Sequence, residues 1–257
     1  MNFFRTIAVA FSMFSAVPMP RVEWDQNTMR YALAAFPLVG AAEGLALWGW
    51  AALCEVLGFG GLLPAAGFCL IPVFMTGGIH LDGYCDTCDA LASHGTPERM
   101  QEILKDPHTG AFAVIRLSAY FLASLALCSA LQADRSSLFC LGCGLVLGRA
   151  LSGLAVASFP LARSTGLAHT FATSADRRRV RRVLLAEILF CLALMLTAGG
   201  LRGAAMALAA GLLFWHCHFR AVRSFGGFSG DLAGWFLQRC ELGMLGALVL
   251  MQHLISL

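Results

Sequence analysis

Residues 136–158 read SSLFCLGCGLVLGRALSGLAVAS, twenty-three residues carrying one charge, Arg149. As a helix, such a run reaches about 34 Å, enough to cross the roughly 30 Å hydrocarbon core of a bilayer. The helix is the form it takes there, because a helix satisfies its own backbone hydrogen bonds where no water is present. Gly142, Gly144 and Gly148 have small-residue spacing, which predicts close helix contact rather than phosphate binding. Outward from this stretch, comparable apolar runs fall at 31–56, 62–79, 110–131, 183–201, 203–219 and 232–256. Turn signals separate them, among them Gly58-Phe59-Gly60-Gly61, Ala133-Asp134-Arg135-Ser136, Gly199-Gly200 and Gly226-Gly227. The expected fold is all-α: a polytopic transmembrane helical bundle of about six to eight spans, one integral membrane domain over 1–257.

Composition agrees. Of 257 residues, 58% are apolar and 13% charged, and mean hydropathy is +0.73. A soluble domain carries roughly 25% charge, so disorder is excluded and an ordinary soluble globule is disfavoured. The net charge is +3, and seventeen of the 18 basic residues are Arg, the other being Lys105. The basic run Arg177–Arg182 adjoins an apolar stretch and reads as a loop, so no nucleic-acid partner is expected. Loops 80–108, 161–182 and 218–231 share one side and hold most of the Arg, whereas the opposite loops hold Arg135 and Arg202. The positive-inside rule places the long loops in the cytoplasm. Most of the ten Cys lie in apolar runs, where a thiol acts as a small hydrophobe, and the lone Cys85/Cys88 pair does not make a zinc site. Residues 3–17 resemble a signal peptide in hydropathy, but Pro18, Pro20 and the lack of an A-x-A site favour a retained interfacial or re-entrant segment.

The chemically informative stretch is Gly77-Gly78-Ile79-His80-Leu81-Asp82-Gly83-Tyr84-Cys85-Asp86-Thr87-Cys88-Asp89-Ala90. Asp82, Asp86 and Asp89 are spaced i, i+4, i+7, which on a helix puts three carboxylates within about 60° of arc. Like charges at that spacing repel, and a cation relieves them. Mg²⁺ suits, since it takes hard oxygen ligands and shares them with substrate phosphates. The plainer reading, a solvated acidic face, sits poorly beside an apolar span in a charge-poor chain. Thr96 and Pro97 start a second helix carrying Glu98 and Glu102, an amphipathic surface pattern. Asp106 follows at the mouth of the next span, beside Lys105 and Gly110, where a ligand or positioning role is expected.

A third group is Gly226-Gly227-Phe228-Ser229-Gly230-Asp231-Leu232-Ala233-Gly234, followed by Gln238 and Glu241. Its flexible backbone allows close approach of phosphate, and Asp231 either caps the last span or faces substrate. Glu241, and more weakly Glu43, lie within spans, where an acid is a functional candidate. Arg149 within a span and Arg163 just beyond it suit phosphate or carboxylate. His216 and His218 read as interfacial.

These residues, with Phe36-Pro37-Leu38-Val39-Gly40, resemble the cobalamin synthase family, adenosylcobinamide-GDP ribazoletransferase. The resemblance rests on Gly77-Gly78-Ile79-His80-Leu81-Asp82-Gly83 with Asp86-Thr87 and Asp89. It continues through Glu98-Arg99-Met100, Glu102-Ile103-Leu104-Lys105-Asp106 and Gly110, and through Pro160, Arg163 and Gly166. It closes with Gly226, Gly227, Gly230, Asp231 and Gly234. Two departures stand out: Gln238 occupies a position that is often Glu, and Ala16 replaces the Arg of an N-terminal T-R-x-P-x-P segment.

The resemblance implies transfer of the adenosylcobinamide phosphate moiety from adenosylcobinamide-GDP to α-ribazole or its 5′-phosphate, with loss of GMP. It implies Mg²⁺ on Asp82, Asp86 and Asp89, with Asp106 completing the site and His80 as a general base. Substrate contacts are expected from Gly77, Gly78, Lys105, Gly110, Arg149, Arg163, Gly227, Gly230, Asp231 and Glu241. The lipid bilayer is the expected surroundings, and glycine-rich faces allow a homo-oligomer. Other classes make different demands. A CDP-alcohol phosphotransferase needs a D-G-x-x-A-R run, a prenyltransferase needs a second aspartate-rich motif, and a divalent-cation transporter needs acids near mid-bilayer on several spans.

Overall fold

The structure is a computed structural model, and it describes residues 3–162 and 167–256. In chain order the helices are α1 (Phe3–Phe14), α2 (Gln26–Met29), α3 (Ala32–Ala35), α4 (Pro37–Leu57), α5 (Leu62–Thr76), α6 (Ile79–Ala92) and α7 (Pro97–Ile103). Then follow α8 (Ala111–Ala130), α9 (Arg135–Ser158), α10 (Leu167–Ser174), α11 (Arg177–Gly199), α12 (Leu201–Phe225) and α13 (Gly230–Ser256). Among the described residues the only β contact is an isolated bridge between Leu161 and Phe228.

The apolar run that opened the sequence reading is α9, the most enclosed of the long helices, packed against α4, α11, α13 and α12. Glycine brings it close to α4. A Cβ on Gly40 would fall 2.5 Å from the Leu145 carbonyl oxygen, and one on Gly44 would fall 2.8 Å from Gly142 Cα. Gly144 lies against Met206 and Met244 of α12 and α13. The expected small-residue contacts therefore form, and they let backbones approach where lipid supplies no hydrophobic drive between helices.

Among the described residues five helical segments are long and apolar enough to cross a membrane: Ala32–Leu57, α8, α9, α11 and α12. The count reaches six if α5 and α6 form one broken span. Helices occupy all seven expected positions, but α5, at 15 residues, is short. α13 is long enough, yet Asp231, Gln238, Arg239, Glu241 and Gln252 lower its hydropathy. α1 has 12 residues, about 18 Å, too short to span.

The basic run corrects the expectation of a loop. Arg177–Arg182 forms the first turns of α11, whose N-terminus is capped by the Asp176 side chain accepting from the Arg179 N–H. Arg is a good helix former, and Arg181 also donates two hydrogen bonds, at 2.9 and 2.7 Å, to the Ala157 carbonyl at the end of α9. α12 likewise runs on to Phe225, six residues past its expected end.

The fold turns on one break. Gly77 and Gly78 have φ of 64° and 80°, and α6 leaves α5 at 94°. The Gly78 N–H reaches back to the Val73 carbonyl at 3.1 Å, closing α5 in the manner of a Schellman cap. The acidic helix thus runs across the direction of α5, outside the five spans, and lies between α8 and α13.

Candidate functional site

Two stretches separated by well over a hundred residues meet around one cavity of about 420 Å³. α6 supplies Ile79, His80, Asp82 and Gly83, and the 228–234 segment supplies Phe228, Ser229, Gly230, Asp231, Ala233 and Gly234. Glycines make this contact. A Cβ on Gly83 would sit 2.8 Å from the Asp231 carbonyl oxygen, and one on Gly234 would sit 2.7 Å from the His80 carbonyl oxygen. Gly230 faces open space at the cavity wall. Gly227 serves the frame instead: a Cβ there would fall 2.5 Å from Ala162 N, where the Ala162 N–H donates to the Phe228 carbonyl and the Phe228 N–H donates to the Pro160 carbonyl.

The acids divide by role. Asp82 is exposed and lines the cavity with Asp231. Asp86, one turn along α6, has its pKa pushed up to about 6, first by burial and then by the negative charges of Asp82, Asp231 and Asp89. Mutual repulsion of this kind marks a place where a cation is welcome. Asp89 departs from the expected three-carboxylate ligand set. Its two oxygens accept from the Gly110 N–H at 2.7 Å and the Ala113 N–H at 2.8 Å, at the start of α8. A carboxylate at a helix N-terminus satisfies orphan N–H groups and meets the positive end of the dipole. Gly110 makes room for it, since a Cβ there would lie 2.7 Å from the Asp89 carboxylate. Among the described residues no three His, Cys, Asp or Glu side chains are arranged to hold one metal ion.

His80 sits in the cavity wall, 93% buried, with Nε2 lacking a partner among the described residues. Burial, then the positive charge of Arg149, pushes its pKa down to about 3. A base so weak is ill matched to taking a proton near neutrality, so the geometry fits a hydrogen-bonding role better than the expected general base.

Several expected contacts lie elsewhere. Arg149, 1% exposed, pairs with Glu43 and with Glu241 (2.9 Å) and donates to the Leu145 carbonyl (3.0 Å). This buried cluster ties α4, α9 and α13 together and occupies the groups expected to meet substrate. Lys105 and Asp106 are exposed in the turn before α8 and do not line the cavity. Asp106 accepts from the His108 backbone N–H at 3.0 Å and pairs with its ring, and the backbone bond leads in lowering its pKa. Gly77 and Gly78 form the bend rather than the cavity wall. Arg163 and Gly166 lie outside the described residues. Cavity residues that sequence reasoning did not single out include Phe14, Ser152, His169 and Phe171, and Phe36 was noted only as part of a motif. Each stands alone in an apolar or loop stretch, with no spacing signal to mark it.

The chain is matched by the family model described as cobalamin-5-phosphate synthase over residues 6–249. Proteins named adenosylcobinamide-GDP ribazoletransferase resemble it along nearly their whole length. One from Lachnoclostridium phytofermentans is 41% identical over 242 residues, 94% of this chain and 92% of the relative. One from Pseudomonas syringae is 35% identical over 246 residues (95% and 98%), and one from Desulfitobacterium hafniense is 34% identical over 255 residues (96% and 98%). No solved structure matches the chain. With the G-G-I-H-L-D-G bend and the G-G-F-S-G-D-L-A-G turn meeting at one cavity, and a family match over most of the chain, the protein belongs to the cobalamin synthase family of membrane-bound ribazoletransferases.

Proposed function

We propose that the chain joins adenosylcobinamide-GDP to α-ribazole, or its 5′-phosphate, giving adenosylcobalamin, or its 5′-phosphate, and GMP. The observation that carries this is the convergence of α6 and the 228–234 segment on one cavity whose acids are Asp82 and Asp231. In the reaction a ribose hydroxyl oxygen bonds to the cobinamide-bearing phosphorus, the bond from that phosphorus to the oxygen bridging to GMP breaks, and the hydroxyl proton is released. His80 Nε2, buried and without a partner among the described residues, accepts a hydrogen bond from that hydroxyl and fixes its direction. The released proton leaves to water at the acid-lined end of the cavity, where Asp82 is exposed. Gly230, open to the cavity, lets a phosphate oxygen reach the backbone.

Mg²⁺ fits the donor set. Asp82 and Asp86 offer hard oxygens on one helix face, and this ion is commonly held by one or two carboxylates plus substrate phosphates. When bound it would neutralise charge on the diphosphate and on the departing GMP. The acidic end is proposed to face the cytoplasm from the inner membrane, supported by the Arg-rich ends of α11 and α12. The transporter reading is not favoured, because Glu43 and Glu241, the acids packed together within the bundle, are already paired with Arg149.

The test uses protein purified in detergent with adenosylcobinamide-GDP, α-ribazole and Mg²⁺. GMP and cobalamin should form in equal amounts, and Asp82→Asn should abolish both. Well-folded wild-type protein that makes neither would refute the reading.

A further inference from the structure

The cavity has a second chemistry besides its acids. Phe14 of α1, Phe36 before α4, Phe171 of α10 and Phe228 all line it. Phe14 is the hinge of this group, with its ring centroid 4.2 Å from Phe36 and 5.4 Å from Phe171. Phe36 in turn lies 5.7 Å from the His80 ring. The wall thus runs from Phe171 through Phe14 and Phe36 to His80, and from there along α6 to Asp82. His169, two residues before Phe171 on α10, adds a polar group to the aromatic part, and Ser152 of α9 adds a hydroxyl.

Resting on the function proposed above, we infer that this aromatic part holds the base of the acceptor nucleoside, with His169 as its hydrogen-bonding partner. The size agrees. A cavity of about 420 Å³ lies at the lower end of small-ligand sites, roughly 300–1,000 Å³, which suits one nucleoside and is too small to enclose a corrin ring. The chemistry agrees as well. A benzimidazole-type base is a flat apolar surface with one free ring nitrogen, so it needs aromatic contact and one donor. Guanine, the other base in the reaction, carries an oxygen acceptor and several N–H donors that must all be met when buried. The acids among the cavity's described residues are Asp82 and Asp231, which belong to the phosphate end. The placement also suits the reaction: a base seated among the phenylalanines directs its ribose past His80 toward the acids. His169 is then a positioning residue that selects and orients the acceptor.

The experiment compares wild type, Phe171→Leu, His169→Ala and His169→Gln in detergent. Binding of α-ribazole and of GMP is measured by equilibrium dialysis, each alone and with the other present, and KM and kcat are measured for both substrates. Phe171→Leu is expected to weaken α-ribazole binding and raise its KM about tenfold, in line with the worth of base–aromatic stacking, while leaving GMP binding unchanged. His169→Ala should raise the α-ribazole KM severalfold with kcat within about twofold, and His169→Gln, which retains a donor, should recover most of it. Weakened GMP binding with unchanged α-ribazole binding would overturn the inference in favour of guanosine in this pocket. Unchanged affinity for both, in variants that melt like wild type, would overturn it outright. The two readings fail separately. Wild type that binds α-ribazole but forms no cobalamin refutes the function and not the pocket. Normal turnover with an unmoved α-ribazole KM in the variants refutes the pocket and not the function.

Discussion

Replacing Asp89 with Asn separates a structural carboxylate from a ligand. In the structure both Asp89 oxygens accept backbone N–H groups, from Gly110 at 2.7 Å and Ala113 at 2.8 Å. Hydrogen bonds to a charged acceptor contribute about 1.5–3 kcal/mol each. Asn keeps the shape and one carbonyl oxygen, so one bond survives in neutral form. Its amide NH₂ then faces the second N–H, donor against donor, and the attraction of the charge to the α8 dipole is lost, roughly 0.3–1 kcal/mol. The expected cost is about 2–4 kcal/mol, or a fall in melting temperature of roughly 5–12 °C for a chain of this size. The five tryptophans allow unfolding to be followed by fluorescence in detergent. Below the transition, turnover should stay within about threefold of wild type, because no reacting group has been removed. Asp82→Asn should do the reverse, with melting little changed and turnover down at least a hundredfold, the scale set by loss of one preorganised electrostatic group. An Asp89→Asn protein that melts like wild type but loses turnover a hundredfold, with a raised Mg²⁺ requirement, would refute the capping role and restore Asp89 as a ligand.

Other outcomes follow from the same geometry. Arg149→Met leaves Glu43 and Glu241 buried without their cation and should cost about 3–5 kcal/mol in unfolding experiments. The combined Glu43→Gln, Arg149→Met, Glu241→Gln variant should regain most of that stability, and a triple variant as unstable as the single one would show that the charges are not the cause. Gly83→Ala forces a Cβ against the Asp231 carbonyl, which as backbone has little room to yield. Thermal unfolding should show a loss of about 1–3 kcal/mol, and GMP release should fall further than stability does, because α6 and α13 are pushed apart at the cavity. Chelation by EDTA should stop GMP release from the wild-type protein and added Mg²⁺ should restore it, whereas turnover that persists in EDTA would remove the ion from the proposal.

Much of the bundle was legible because lipid leaves a chain few options. Apolar runs of twenty or more residues become helices, and their glycines mark where helices touch, as Gly142 does against Gly44. The acidic motif was legible through its charge in a charge-poor chain. Less legible was how each acid is used. Asp82, Asp86 and Asp89 look equivalent on a helical wheel, yet Asp89 is claimed by the start of α8, twenty-one residues later. Arg149 and Glu241 read as substrate contacts because a charge within a span demands a partner, and sequence could not name that partner as one another. The aromatic wall was invisible for the opposite reason: a phenylalanine in an apolar chain is unremarked until its neighbours are known.

The sequence by itself therefore determined the helical membrane class and the stretches that carry the chemistry. These depend on local quantities, namely hydropathy over a span and charge spacing along one helix, whereas the bend at Gly77 and Gly78, inside an apolar run expected to continue to residue 79, came from the structure. Only the tertiary structure decided that α6 meets the 228–234 segment, that Asp89 caps α8 while Asp82 faces the cavity, and that Phe14, Phe36 and Phe171 share one wall. Those facts rest on backbones brought within contact by Gly83 and Gly234, and proximity between distant segments is a property of packing that no local pattern encodes.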